Sequence, residues 1–316
     1  MRLQEPGRFV AVEADDAEPA AGEVRVRVEG CGVCASNVPP WEGRDWFGYP
    51  FPDGAPGHEA WGEIDAVGTG VEGLKPGDRV ITLAQNAFAQ AVVCDAADCV
   101  ALPDGVDGFP GEPVACALNV VDRSGLRPED PREVAVLGVG FLGALLVELL
   151  TADGHRVVAA SRRSTALQTA RDAGAAEAWP WDEAVAVGEE VGVFEGPGRF
   201  GTVFECTGKQ AGLDLATKLT EHRGTLVIAG FHQDGPRSVD VQLWNWRGLD
   251  AVNAHERAPE RYRSGLAAAV EAVAAGRAHP NRWVTHRLGM DGLDEAVALT
   301  RDRPEGFLKA VVEPAS

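Results

Sequence analysis

The segment Val134-Ala-Val-Leu-Gly138-Val-Gly140-Phe-Leu-Gly143 constrains this chain more than any other. Apolar residues run straight into a Gly-x-Gly-x-x-Gly turn, and Ala144-Leu-Leu-Val-Glu-Leu-Leu150 continues with helix-forming composition. A strand, a tight turn and a helix N-terminus in that order make a cradle for a pyrophosphate. The glycines let backbone approach the phosphates, and the unpaired first-turn amides with the helix dipole favour negative charge. A glycine turn between strand and helix also occurs for packing alone, so the surrounding pattern must decide.

That pattern is an alternation of strands and helices. Residues 133–137, 156–160, 202–205, 225–229 and 250–253 are strand candidates, separated by helical stretches such as 164–173 and 210–221. Such alternation predicts a parallel sheet with right-handed crossovers. The first third of the chain differs. Glu23-Val-Arg-Val-Arg-Val-Glu29 alternates strictly, as a half-buried antiparallel strand does. Gly30-Cys31-Gly-Val-Cys34-Ala-Ser36-Asn37 reads as a loop or helix start, residues 39–56 as an ordered loop, and 87–102 as two short strands. Short strands with glycine turns predict a small barrel or partly open sandwich. A helix begins near Glu112-Pro113 and ends near Gly125, and residues 264–275 carry a further strong helix signal.

The predicted fold is therefore α/β in two domains, a division that 316 residues can support with a core in each. A β-rich domain comprises residues 1–122 and 255–316, and a doubly wound dinucleotide-binding domain, residues 123–254, is inserted between them.

A formal net charge of −19 argues against a nucleic-acid or anionic-membrane surface. The longest apolar stretch, 134–150, holds three glycines and Glu148 and is too interrupted for a membrane span. The first residues show no basic region followed by an apolar run, so no signal peptide is expected. Six cysteines (31, 34, 94, 99, 116, 206) form no paired framework, which points to a reducing cytoplasm with free thiols or metal ligands.

Cys34, His58 and Glu59 lie in one domain, with Glu112 and Cys116 at its junction with the next. Thiolate, imidazole and carboxylate are the ligand types of a zinc site. Three protein ligands leave a fourth position for water or substrate, where the ion acts as a Lewis acid. On spacing alone, a cysteine and a histidine 24 residues apart are more often unrelated.

Context changes that balance. The chain resembles the medium-chain (zinc-type) alcohol dehydrogenase family, most closely its polyol and threonine dehydrogenase branch. The resemblance is carried by Gly30-Cys-Gly-Val-Cys34-Ala-Ser36, Pro56-Gly57-His58-Glu59, Val67-Gly68, Lys75-Pro-Gly-Asp-Arg-Val80, the glycine turn 138–143, Glu205-Cys-Thr-Gly208 and Leu308-Lys-Ala-Val-Val312. It runs almost end to end. It implies a GroES-like catalytic domain, a Rossmann domain and hydride transfer at the cleft between them. By the same resemblance Cys34 and His58 are catalytic-zinc ligands, Glu59 is a carboxylate beside the metal or transiently on it, and Ser36 exchanges a proton with the substrate oxygen. Many members take the third ligand from a cysteine, whereas this branch uses the glutamate of a Glu-Pro pair. Counting back from Gly125-Leu-Arg-Pro128, similar to the branch's Gly-Leu-Lys-Pro, lands on Glu112, which leaves Cys116 as a packed helix residue.

Two positions depart from the family. Asn37 replaces an aspartate that partners the histidine ligand, and an amide adds no negative charge to raise ligand basicity. Pro39 replaces a histidine that relays the proton onward. The four-cysteine lobe that holds structural zinc in many relatives is missing, and Cys94 and Cys99 have the wrong spacing for it, so one zinc per chain is expected.

Cofactor choice falls at the end of the second Rossmann strand, where a carboxylate would bind ribose hydroxyls and repel a 2′-phosphate. The text is Val157-Val-Ala-Ala-Ser161-Arg162-Arg163-Ser164, with Ser161 23 residues beyond Gly138 and no carboxylate. A guanidinium pairs with phosphate oxygens, so NADPH is expected over NADH. The alternative is a solvated arginine loop on an acidic protein. Expected cofactor contacts are Gly138, Gly140, Phe141, Leu142, Gly143, Ser161, Arg162 and Thr207.

Trp41, Trp46, Phe47 and Tyr49 either line a substrate cleft or anchor their own loop, and His232 either reaches the nicotinamide or is a loop histidine. Three functional readings follow. The first is a zinc-dependent oxidoreductase moving hydride between NADP(H) and a small secondary alcohol or ketone, polyol-like in one version. The second is a zinc-free quinone or enoyl reductase of the same fold, and the third a non-catalytic NADPH-binding protein. A homodimer built through edge strands near 249–254 is implied by the resemblance.

Overall fold

The computed structural model describes residues 1–14, 17–190, 196 and 198–314. The first segment forms β1 (Arg2–Glu5), β2 (Arg8–Val10), β3 (Glu23–Gly32), α1 (Val38–Glu42), β4 (Ala60–Val67), β5 (Arg79–Thr82), β6 (Ala91–Asp95) and β7 (Cys99–Ala101). Helix α2 (Gly111–Ser124) follows. The middle segment is β8 (Glu133–Leu137), α3 (Phe141–Ala152), β9 (Arg156–Ser161), α4 (Ser164–Asp172), β10 (Glu177–Pro180), α5 (Trp181–Glu190), β11 (Phe200–Glu205), α6 (Gln210–Leu219), β12 (Thr220–Ile228), α7 (Val241–Arg247) and β13 (Asp250–Asn253). The chain closes with α8 (Pro259–Ala274), β14 (His286–Gly289), α9 (Leu293–Asp302) and β15 (Ala310–Glu313). Among the described residues no helix is long and apolar enough to cross a membrane.

These elements gather into two compact units, Met1–Ala115 with Ala258–Ser316, and Cys116–Arg257. The first division falls inside α2, between Ala115 and Cys116, ahead of residue 122.

In the first unit a sheet runs β14-β15-β3-β4-β5-β7, with β6 paired to β3. β3 shows why the register holds. Val24, Val26 and Val28 are buried, while Arg25 and Arg27 alternate outward to Asp65 and Glu63 at 2.7 and 3.0 Å. Each buried valine contributes roughly 1.5–3 kcal/mol against about 0–1 kcal/mol for a surface ion pair, so burial sets the register and charge decorates it. The strand continues past Glu29 to Gly32 and so delivers the chain directly to Cys34.

Residues 39–56, expected as a loop throughout, start with the short helix α1. Pro39 and Pro40 sit in its first turn, where a missing N–H costs nothing, and Gly43 ends it at φ +78°. Three aromatics of this stretch, Trp41, Tyr49 and Phe51, serve as anchors. Trp41 Nε1 donates to Asp294 Oδ1 at 2.8 Å, Tyr49 donates to the Pro40 carbonyl, and Trp41, Tyr49 and Phe51 pack on the core. Trp46 stays 64% exposed.

The second unit is a six-stranded sheet ordered β10-β9-β8-β11-β12-β13, every pair parallel. This is the doubly wound arrangement that the alternating pattern implies. Val134, Val136, Val158, Val203, Phe204, Leu226 and Val227 are buried, the continuous apolar text of strands covered on both faces. β10 and α5 were not anticipated. Glu-Ala-Trp-Pro carries no apolar alternation, and its proline is tolerated because β10 is an edge strand. Register places Leu137 beside Ala160 and Glu205, and Glu205 beside Ile228, so Gly138, Ser161, Cys206 and Ala229 emerge from one end of the sheet. Strand order reverses at β8, and ligands of such sheets bind at that point.

Candidate active site

The donor groups of the first unit are set by backbone geometry. Cys34 caps a short 3-10 helix, Ala35–Asn37, and its backbone N–H donates to Asn37 Oδ1 at 2.8 Å. Asn37 Nδ2 donates to the Pro56 carbonyl at 2.9 Å, and His58 Nδ1 lies 2.8 Å from the same oxygen. A carbonyl only accepts, so Nδ1 carries the hydrogen and Nε2 is the ring nitrogen turned toward the cluster as a ligand atom. The sequence reading made residue 37 the histidine's partner. In the structure the Pro56 carbonyl orients the imidazole, and Asn37 ties the Cys34 and His58 loops together instead. An amide suits that role because it donates to one loop and accepts from the other.

Cys34 Sγ, His58 and the Glu59 carboxylate place ligand atoms within 4.8 Å of one another. Burial opposes charge on the His58 ring, but its bond to Cys34 and the charges of Cys34, Glu112 and Glu59 outweigh that, lifting its pKa to about 10. A donor set that favours positive charge at its centre fits a metal cation. Ser36 Oγ stands 3.4 Å from His58 Nε2, beside the cluster.

Glu59 is 1% exposed and ion-paired with Lys309, whose side chain is also buried. The two meet only because residue 32 is glycine, since a Cβ there would lie 2.0 Å from Glu59 Oε2. Glu112, the expected third ligand, is not in the close set. It is 7% exposed, its charge acts on His58, and its Oε1 accepts the Tyr262 hydroxyl at 2.7 Å. Cys116 is half-buried one turn further along α2. Pro39 is buried in α1 and offers no titratable group. Sequence reasoning passed over Tyr262 and Lys309. The motif around Lys309 is visible in the text but its role is not, and nothing local marks Tyr262.

In the second unit the three glycines of the turn differ in what they satisfy. Gly138 has φ +95° and lies against Thr207, and a Cβ on Gly143 would sit 2.2 Å from the Gly138 carbonyl. A Cβ on Gly140 would meet nothing within 4 Å. The protein's own packing thus accounts for Gly138 and Gly143, while Gly140, the N-cap of α3, faces open space ahead of the helix amides. Those features fit a pyrophosphate. Phe141 is buried and Leu142 half-buried at the start of α3, Ser161 is buried at the end of β9, and Arg162 is exposed immediately after it.

Glu205, fully buried at the end of β11, organises the neighbouring loops. It accepts from Thr207 N at 2.7 Å, Gly208 N at 3.0 Å, the Thr207 hydroxyl, and His232 Nε2 at 2.8 Å. Arg237 Nε donates to His232 Nδ1 at 2.8 Å, so the ring is the Nε2–H tautomer. His232 is therefore turned inward with both nitrogens engaged, a clamp between loops. A glutamate closing an otherwise apolar strand was the available signal for this hub.

Known proteins give the same picture. Residues 20–104 match the family profile "Alcohol dehydrogenase GroES-like domain", and residues 142–271 match "Zinc-binding dehydrogenase". An alcohol dehydrogenase of Moraxella sp. (strain TAE123) is 31% identical over 264 residues, covering 72% of this chain and 76% of that one. The sorbitol dehydrogenase of Gallus gallus is 28% identical over 334 residues, covering 92% and 89%. Among solved structures, a Sinorhizobium meliloti 1021 protein described as a zinc-binding dehydrogenase bound to NADP superposes with TM-score 0.84 at 24% identity, covering 99% and 98%. A short chain alcohol dehydrogenase of E. coli CFT073 complexed with NADH superposes with TM-score 0.83 at 21% identity, covering 99% and 98%. These two likenesses establish the shared fold.

Proposed function

The chain belongs to the zinc-type medium-chain alcohol dehydrogenase family, and from that premise we propose that it is a zinc-dependent, NADPH-preferring oxidoreductase of a secondary alcohol and ketone pair. The observation that carries the reading is the close set of Cys34, His58 and Glu59, with the His58 tautomer fixed by the Pro56 carbonyl. The sorbitol dehydrogenase relative makes a polyol-like substrate the natural choice.

Bound zinc would supply Lewis-acid polarisation of a carbonyl, and NADPH the hydride. Cys34 and His58 would hold the ion, with Glu112 as third ligand and Glu59 beside it. Lys309 pairs with the Glu59 carboxylate and orients it in a buried setting, where a lone charge would be costly. Ser36 Oγ gives or takes the proton of the substrate oxygen. Pro39 offers no imidazole to continue that path, so the next proton acceptor is solvent or a substrate hydroxyl. Gly138, Gly140, Gly143 and the first amides of α3, including those of Phe141 and Leu142, would take the pyrophosphate. Ser161 and Arg162 would bind the 2′-phosphate, and Thr207, held by Glu205, would contact the cofactor.

One zinc per chain, none structural, is part of the proposal. So are a reducing cytoplasmic setting and a homodimer through the open edge of β13, the last strand of its sheet.

Metal analysis of purified protein, with ketone reduction measured before and after chelation, tests this reading. It requires about one zinc per chain and loss of turnover on chelation or in Cys34→Ser. Unchanged turnover in Cys34→Ser would favour a zinc-free quinone or enoyl reductase. Tight NADPH binding with no turnover of any alcohol or ketone would favour a binding protein.

A further inference from the structure

Cys94 and Cys99 take no part in the metal centre or the glycine turn. Cys94 lies near the end of β6 and Cys99 opens β7, separated by the turn Ala96–Asp98. Their Sγ atoms are 3.5 Å apart, and Thr82 Oγ1 lies 3.5 Å from Cys94 Sγ. The sheet enforces this meeting. Cys94 is in register with Val24 of β3, and Cys99 with Thr82 of β5, so each thiol is fixed by a different paired strand. Cys94 is half-buried, whereas Cys99 is 8% exposed.

The surroundings give the two sulfurs different tasks. Hydrogen bonding from Cys99, then from Thr82, favours the Cys94 thiolate against burial and the charges of Asp98 and Asp95. Cys99 is held protonated by its bond to Cys94 and by burial. Both acidic neighbours are partly neutralised by Arg263 of α8, 2.7 Å from Asp98 and 3.4 Å from Asp95. Two other thiols are poor nucleophiles, since desolvation raises half-buried Cys206 well above its ordinary value and pushes buried Cys31 up to about 12.

We propose that Cys94 and Cys99 are a reversible peroxide-reactive pair, with Cys94 as the attacking thiol and Cys99 as the resolving one. The Cys94 thiolate attacks one oxygen of a hydroperoxide, the O–O bond breaks, and hydroxide leaves with the electron pair to be protonated to water. Cys94 is then a sulfenic acid. The Cys99 sulfur attacks it, the S–O bond breaks, and the departing hydroxide takes the Cys99 proton as the second water. Two thiols lose two electrons in all, and hydrogen peroxide gains them. The disulfide closes the turn whose Asp98 anchors Arg263, and a small-molecule thiol restores the pair. Nothing in this step depends on zinc, NADPH or turnover.

The protein as purified is treated with hydrogen peroxide, alkylated under denaturing conditions, and cut with a proteinase that cleaves before aspartate. Cleavage before Asp95 and Asp98 puts the two cysteines on separate peptides. Those peptides should be recovered joined, and separate after dithiothreitol, with free thiols falling from six to about four. In Cys99→Ser, dimedone should label Cys94 because no resolving thiol remains. Recovery of both peptides singly as alkylated thiols while Cys34 or Cys116 oxidises would overturn the proposal. So would a disulfide from Cys94 to any other cysteine.

Discussion

Tyr262 of α8 donates its hydroxyl proton to Oε1 of Glu112 in α2 at 2.7 Å, joining residues 150 positions apart. The bond steadies a carboxylate that is only 7% exposed and whose charge reaches His58. If Glu112 holds zinc, Tyr262 orients it, since ligating carboxylates depend on outer hydrogen bonds for geometry. Tyr262→Phe keeps the ring and removes the donor. Zinc affinity, measured by competition with a chromogenic chelator, should fall roughly tenfold or more. Unchanged affinity would take Glu112 out of the ligand set and leave Glu59 as the carboxylate that matters.

The glycine turn separates folding from binding. Gly140→Ala meets no atom within 4 Å and should melt as the parent does, yet bind NADPH far more weakly. Gly143→Ala forces a Cβ to 2.2 Å from the Gly138 carbonyl and should lower stability by roughly 1–3 kcal/mol. Calorimetry and cofactor titration on the two variants check both halves. Equal NADPH affinity in Gly140→Ala and parent would remove the pyrophosphate from this turn.

Arg162 is exposed beside Ser161, and the end of β9 carries no carboxylate. Arg162→Ala should raise the KM for NADPH by about tenfold or more while leaving that for NADH nearly unchanged, because charge-assisted hydrogen bonds contribute roughly 1.5–3 kcal/mol. Equal losses for both cofactors would mean that the guanidinium does not recognise the 2′-phosphate.

His155 gives a pH signature of its own. It is 4% exposed, and its Nδ1 accepts the Arg132 backbone N–H at 3.1 Å. Burial pushes its pKa below the ordinary 6.5, helped by Arg132 and opposed by Asp153 and Asp130. A histidine depressed on folding binds fewer protons folded than unfolded. Its contribution is complete above 6.5 and is lost as pH falls from there through the folded value. Urea midpoints taken from about pH 7.5 down to about pH 5 should fall less steeply in His155→Gln than in the parent. Parallel pH profiles would show that His155 has no part in acid sensitivity.

Much of the molecule was legible in its text because the decisive signals are local. Apolar runs ending in glycine located the sheet and its turn. The Val24, Val26, Val28 alternation set β3, and Cys34 with His58-Glu59 marked the donor set. The misreadings came where local text was silent or ambiguous. β10 has no apolar alternation, and the first turn of α1 holds two prolines that suit a helix start as well as a loop. For His232 the text leaves open a nicotinamide contact or a loop histidine, and the ring's bonds to Glu205 and Arg237 make it a loop histidine.

By itself, then, the sequence determined the alternating sheet, the placement of the glycine turn and the residue types of a zinc site, because periodicity, glycine conformation and ligand chemistry act over a few residues. Only the tertiary structure decided which groups meet. Tyr262 on Glu112, Lys309 on Glu59, the Pro56 carbonyl on His58 and Cys94 against Cys99 depend on sheet register and helix docking. Those are fixed by burial summed over each whole unit, which no short stretch of text contains.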